Sequence, residues 1–376
     1  MRHRSAVLVV FAWLGSFAVQ AVAQVSAAGA AGTSTITTRS TLVLVPAIVH
    51  DKSGQLVFNL KAQDFALTDN GVPQKLRLEQ DSGGQPLALV VDIEGGGAAA
   101  DRISRFAPLI AMLDAVVGGV PHRIAVVGFD SAPVLVTDFT TDNDVAEKGI
   151  KDLIADNNGD DGAAILDSLS FALDLLRKQP PEYRRAILLV SETHDNASHI
   201  PVDDALRNLS NSNTAIYSIG FSSSISQAKH EAAKISQPDT PNPAGGCFAR
   251  DPQSTQSRSA QTYDCIAELA PPLALAKAAF MAVRSHLETN IPEAAAHLTG
   301  GEYFTLGKQK EFERDLLTIS NHIPNRYVLS FQPQSPQSGY HALKLTLPDY
   351  SGLRVSARTG YWADPERSAS ANAPVK

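Results

Sequence analysis

The chain has 376 residues, 44% of them hydrophobic, and a formal net charge of −7. That length allows two or three domains with a sizeable core, and the apolar content excludes a disordered chain. An acidic balance without a lysine or arginine run gives no reason to expect nucleic acid or anionic lipid as a partner.

Residues 1–23 read as a secretory leader. Arg2, His3 and Arg4 form its basic start, residues 6–19 its apolar run, and Ala21, Val22 and Ala23 its small-x-small cleavage pattern. Cleavage there starts the mature chain near Gln24 and, with Arg2 and Arg4 lost, makes the charge −9. A membrane anchor is the alternative, but the apolar run is short for a bilayer and holds Gly15 and Ser16. No later stretch is apolar enough to span a membrane. The mature protein is therefore expected to be exported, periplasmic or extracellular, without a transmembrane segment.

Residues 24–39 form a small-residue linker, and residues 40–82 an N-terminal β module. In that module, residues 41–49 read as a strand interrupted by Pro46. Asp51, Lys52, Ser53 and Gly54 form a turn, and residues 66–76 a hairpin over Asp69-Asn70-Gly71. Next comes Leu87-Ala-Leu-Val-Val-Asp92, an apolar run between Pro86 and Gly95-Gly96-Gly97, which reads as a strand buried on both faces. It carries Asp92 and Glu94 to its carboxyl end. In an open parallel sheet, that edge is where ligands bind.

From here strands and helices alternate. Ile103, Phe106, Leu109, Ile110, Leu113 and Val117 share one helical face. Strands follow at 123–129 and 132–139, helices at 143–154 and 164–176, a strand at 185–190, a helix at 202–209 and a strand at 214–221. Such repetition implies a parallel sheet sandwiched by helices. Residues 222–266 are rich in polar residues, proline and serine, and too long for an ordinary connection, so they read as a surface insertion. They hold both cysteines, Cys247 and Cys265. In an oxidising compartment these are expected to form a disulfide contributing about 3 kcal/mol, with two free thiols as the alternative. Helices at 274–286 and 291–298, a strand at 301–304 and a helix at 309–322 complete an α/β domain over residues 86–322. The remainder, residues 323–365, is a β segment with strands at 326–331, 341–347 and 353–358; it could pair with the N-terminal module in one sandwich, and the sequence leaves open whether the two form one domain. Residues 366–376 read as a disordered tail.

The landmarks Leu87 to Asp92, Gly162-Ala-Ala-Ile-Leu-Asp167, Leu188-Leu-Val-Ser-Glu-Thr-His-Asp195 and Ala215-Ile-Tyr-Ser-Ile-Gly220 resemble, in order and spacing, a von Willebrand factor A domain. Together with Val45-Pro-Ala-Ile-Val-His50 and Tyr327-Val-Leu-Ser-Phe331, they make most of residues 40–365 similar to the secreted VWFA-related acidobacterial domain proteins. The resemblance implies an α/β fold with a doubly wound, mainly parallel, Rossmann-type sheet flanked by small β segments. It also implies Mg²⁺ at the carboxyl edge of that sheet. The family's ligands are a D-x-S-x-S strand end, a loop threonine and a second aspartate. Asp92 matches the first aspartate, while Glu94 and Gly96 stand at the serine positions. Ala163 stands at the threonine position and Glu192 at the second aspartate. Mg²⁺ demands near-octahedral oxygens at about 2.1 Å, which alanine and glycine do not supply. A degenerate, metal-independent site is thus expected. The alternative is a non-standard Ca²⁺ or Mg²⁺ site in which Asp92, Glu94, Glu192 and Asp160 or Asp161 converge, since crowded carboxylates call for a cation or bound protons.

Other constellations carry less. Gly95-Gly96-Gly97 lacks the G-x-G-x-x-G register and a P-loop lysine, and Glu94 would repel a phosphate. His194 and His199 flank Asp195 without an identified third group for zinc or acid–base work. Neither a G-x-S-x-G elbow nor an H-E-x-x-H helix is present. The expectation is a non-enzymatic, protein-binding chain without an obligate cofactor. Its contact edge comprises Asp92, Glu94, Gly96, Asp161, Ala163 and Glu192. The insertion is a second candidate surface, and a hydrolase using the acidic edge with His194 is the rival reading.

Overall fold

In a computed structural model, the described residues are 42–79, 84–96, 99, 106–117, 119–155, 159–222, 271–333 and 337–363. The leader, most of the insertion, both cysteines with their expected disulfide, and the tail from residue 364 lie outside them. No helix of the described residues is long and apolar enough to cross a membrane.

The centre is β5 (Leu87–Glu94), in which all eight residues are buried. Its alternating side chains feed two cores. Leu89, Val91 and Ile93 face one layer of helices, while Ala88 and Val90 face the other. A strand covered on both sides has no polar face to present, hence its unbroken apolar run.

Strands β6 (His122–Phe129) and β8 (Arg184–Glu192) flank β5 in parallel. Beyond them lie β9 (Thr214–Phe221) and β10 (Tyr303–Thr305), also parallel, and β7 (Pro133–Thr140), antiparallel at the other edge. The order is β10-β9-β8-β5-β6-β7. Helices α1 (Ala107–Val117) and α2 (Asn143–Ala155) cover one face together with α7 (Gln309–His322). Helices α3 (Ile165–Arg177), α4 (Val202–Ser210), α5 (Pro271–Thr289) and α6 (Ile291–Thr299) cover the other. This is the doubly wound, mainly parallel α/β architecture read from the sequence, flanked as expected by small β segments.

Those segments pair with one another. β1 (Val43–His50) lies between β11 (Tyr327–Phe331) and β13 (Arg354–Ala357), with β4 (Arg77–Leu78) on the far side of β11. The second sheet runs β14 (Gly360–Ala363), β12 (Gly339–Thr346), β2 (Ala66–Asp69), β3 (Val72–Gln74). Val45, Leu329 and Phe331 from one sheet and Leu67, Leu343 and Tyr361 from the other share a third core. Each sheet therefore takes strands from both ends of the chain.

Pro46 does not interrupt its strand, contrary to the sequence reading. It pairs opposite Val328 on β11, while β13 begins its ladder only at Ala47. The missing N–H falls past the end of that ladder, where the Pro46 carbonyl accepts from Arg358 N–H at 3.3 Å. That placement is one proline tolerates. The hairpin forms as read, Asn70 at φ 48° and Gly71 at φ 82° making the two-residue turn between β2 and β3.

Candidate functional site at the carboxyl edge

Asp92 and Glu94 occupy alternate positions on β5 and so share the face that meets α3. Both are fully buried. The Asp92 Oδ1 accepts from Ser168 Oγ at 2.7 Å, and Ser168 lies on the inward face of α3. The Glu94 Oε2 accepts from the Glu192 backbone N–H at 2.6 Å, across the end of β8. The second oxygen of each, Asp92 Oδ2 and Glu94 Oε1, is buried without a hydrogen-bond partner among the described residues. Burial pushes the Asp92 carboxyl up to about 7, against the opposing pull of Ser168. Burial likewise holds Glu94 well above the usual carboxylate range; the Glu192 N–H opposes this, while the Glu192 and Asp195 charges add to it.

Above these carboxyls the loops are tied to one another. Asp160 Oδ1 accepts from the Ser131 N–H and hydroxyl and from the Gly162 N–H, at 3.1, 2.8 and 2.8 Å. Asn196 Oδ1 accepts from Ala163 N–H at 2.7 Å, and Asn196 N–H donates to Ala163 O at 3.2 Å. Asp195 is saturated. Its Oδ1 accepts from the backbone of Ala197 and Ser198, and its Oδ2 from Leu166 N–H and Ser198 Oγ. Asp167 in turn accepts from the His199 and Ile200 N–H groups at 2.9 Å each. The loops after β6, before α3 and after β8 thus form one interlocked surface.

The six expected edge residues divide. Asp92, Glu94, Gly96, Ala163 and Glu192 lie beneath that surface; Asp161 alone is exposed. Asp160, Asn196 and His199 join it at the rim. Ser168 and the loop-tying role of Asp195 were not identified from the sequence. The Asp195-Asn-Ala-Ser198 pattern was the available signal, being a side-chain turn that bonds its own backbone.

The residues present do not fit a family-type Mg²⁺ centre. A Cβ at position 96 would sit 2.3 Å from Asp160 O and 2.7 Å from Asp130 Cβ, so this backbone admits no serine there. The Ala163 methyl is packed in the core with Leu166 and Leu169. Among the described residues, Asp92, Glu94 and Glu192 do not form a group of three whose ligand atoms all lie within 4.8 Å of one another. His199 is exposed, its Nδ1 3.3 Å from Asp167 Oδ2. A cavity of about 320 Å³ opens at the opposite, amino-terminal edge of the sheet. Arg184, Arg185, Arg326 and Arg358 line it, and among the described residues no acidic side chain does.

No family model and no curated protein matches the chain. Among solved structures it is similar to a von Willebrand factor type A protein from Catenulispora acidiphila, at 10% identity over 88% of this chain and 76% of that one, TM-score 0.40. BatB, a conserved hypothetical protein from Bacteroides thetaiotaomicron, is similar at 11% identity over 62% of this chain and 99% of that one, TM-score 0.34. An aerotolerance-related membrane protein from Bacteroides fragilis gives 14% identity over 62% and 98%, TM-score 0.34. Similarity at this level says nothing of what the chain binds.

Proposed function

We propose that the chain is an exported, non-catalytic binding protein whose A-type α/β layer recognises a protein partner without a metal ion. One observation carries this reading. The carboxyl edge is closed by side-chain bonds between its loops, which leaves Asp92, Glu94 and Glu192 buried and a polar rim of Asp160, Asp161, Asn196 and His199 facing outward. A rim prearranged in this way spends little ordering entropy when a partner binds.

The test is capture from envelope extract in the presence of a chelator, comparing the wild type with Asp161→Arg. The Asp161 side chain is exposed, so the substitution leaves the loop bonds in place. The reading expects a captured partner whose affinity falls about tenfold with the reversed charge, or about 1.4 kcal/mol. Capture that needs added Ca²⁺ or Mg²⁺, or that ignores the substitution, overturns it.

A second reading, cation-dependent binding through a carboxylate-rich shell, draws on the two oxygens of Asp92 and Glu94 that have no hydrogen-bond partner among the described residues. Calorimetric titration with Ca²⁺ and Mg²⁺ separates the two readings: saturable heat that Asp92→Asn removes supports the second, and no heat at millimolar metal ends it.

A further inference from the structure

Away from the carboxyl edge, three ligand-bearing side chains from distant parts of the sequence meet. His50 ends β1, Glu302 lies between α6 and β10, and His322 is the last residue of α7. One ligand atom from each lies within 4.8 Å of the other two. His50 Nε2 is 3.7 Å from Glu302 Oε1, and His322 Nδ1 is hydrogen-bonded to Glu302 Oε2. The two imidazoles meet edge to face with centroids 5.1 Å apart. We propose that His50, Glu302 and His322 form a binding site for a divalent transition-metal ion of the zinc class, joining the β-sandwich to the α/β layer.

The backbone fixes all three positions. The Asp51 carboxylate accepts from Ser53 N–H, Ser53 Oγ and Gln55 N–H, which folds the turn after β1 back on itself. That turn presents Gly54 O to His50 Nδ1 at 3.3 Å. A carbonyl can only accept, so Nδ1 carries a proton, which leaves Nε2 as the ring atom that faces the Glu302 carboxylate. A cation between Nε2 and the carboxylate, either a proton or a metal ion, is what this approach accommodates. Carbonyl-oriented imidazoles of this kind are the usual support of a metal-binding histidine. Glu302 is held by the parallel ladder, its carbonyl accepting from Ser218 N–H at 2.9 Å. His322 sits at the carboxyl end of a helix, where the backbone dipole favours positive charge.

The donor set also fits the ion. Two imidazole nitrogens and one carboxylate oxygen are three of the four ligands zinc takes in tetrahedral geometry, and bonds of about 2.0–2.1 Å separate neighbouring ligand atoms by roughly 3.3 Å. The 3.7 Å between His50 Nε2 and Glu302 Oε1 is already near that value, and a bound ion would displace the proton that joins His322 Nδ1 to Glu302 Oε2. His50 and Glu302 keep 18% and 17% of their side-chain surface exposed, so an ion can enter and water can complete its shell. His322, at 6%, anchors the inner side.

The test uses the full chain stripped of metal by chelator and titrated with Zn²⁺ by calorimetry, with thermal unfolding in parallel. The proposal expects one saturable site and a higher midpoint of unfolding with zinc. His50→Gln and Glu302→Gln should each weaken binding by about 100-fold or more, beyond what loss of a supporting residue does. Co²⁺ substitution of the wild type gives a readout independent of variant folding. The visible d–d spectrum and X-ray absorption should report a four-coordinate ion with two imidazole ligands. Absence of saturable binding overturns the proposal, as does binding equal in wild type and both variants, or a Co²⁺ spectrum of a six-coordinate ion with water ligands.

Discussion

Asp92 ties the strand-end chemistry to a measurable property. Its unfolded carboxyl titrates near 3.8 and its folded one near 7, because burial disfavours the anion. Between those values the folded chain holds a proton that the unfolded chain has released, so this group makes stability fall as pH rises. The cost is absent below pH 3.8, grows through the window and is complete above about 7, where a shift of this size corresponds to on the order of 4 kcal/mol. Asp92→Asn keeps an oxygen for Ser168 Oγ and has no proton to lose. Its denaturation midpoint should decline less than that of the wild type between pH 4 and 8, and at pH 8 the variant should be the more stable protein. Equal declines in urea titrations would disprove the burial argument. The sequence made Asp92 and Glu94 legible as acids at a strand end. Their burial was not legible, since it depends on Ser168 from α3 and on loops that arrive from three other parts of the chain.

Helix α3 begins without a cap of its own: Ala164 stands at the N-cap, and no side chain there reaches a backbone N–H. Asp195, from the loop after β8, supplies the acceptor instead by taking Leu166 N–H at 2.9 Å. Asp195→Ala should therefore cost about 1–2 kcal/mol, the range of lost caps. It should also speed amide exchange at Leu166 and Ser198 together, two segments far apart in sequence. Exchange that changes at only one of them would show that the loops are not coupled. Elements with strong periodicity were legible nearly to the residue, β9 and α7 among them. Pro46 reads as a break in the sequence, but a missing donor interrupts a strand only where a neighbouring ladder needs it. The last strand, β14, is not legible in the sequence; its four residues are too few to set a period, and only pairing with β12 defines them.

The sandwich and the α/β layer are joined at a buried cation. Arg358, 5% exposed, donates from Nε to Gly360 O at 2.7 Å, from Nη1 to Leu44 O at 3.0 Å and Asn213 Oδ1 at 3.4 Å, and from Nη2 to Ser210 O. Its charge is thus held by backbone and amide oxygens from both layers, and burial lowers the guanidinium only to about 10, so it stays charged at neutral pH. Arg358→Met keeps much of the packing but strands those oxygens. It should cost roughly 3 kcal/mol in chemical denaturation. An unchanged midpoint would mean that solvent replaces the guanidinium without penalty. No sequence pattern announced this residue, because its partners lie at positions 44, 210, 213 and 360 and are mostly main chain.

The interleaving of strands from the two chain ends has a consequence for how the protein comes into being. β1 to β4 leave the ribosome long before β11 to β14 exist, and the whole α/β layer is made in between. Through that interval the early strands carry bare edges and apolar faces with nothing to cover them, a state prone to sticking to other nascent chains. The protein thus closes like a clasp, its opening strands kept waiting for the final ones, and a chain cut short before Tyr327 would keep its α/β centre yet never fasten.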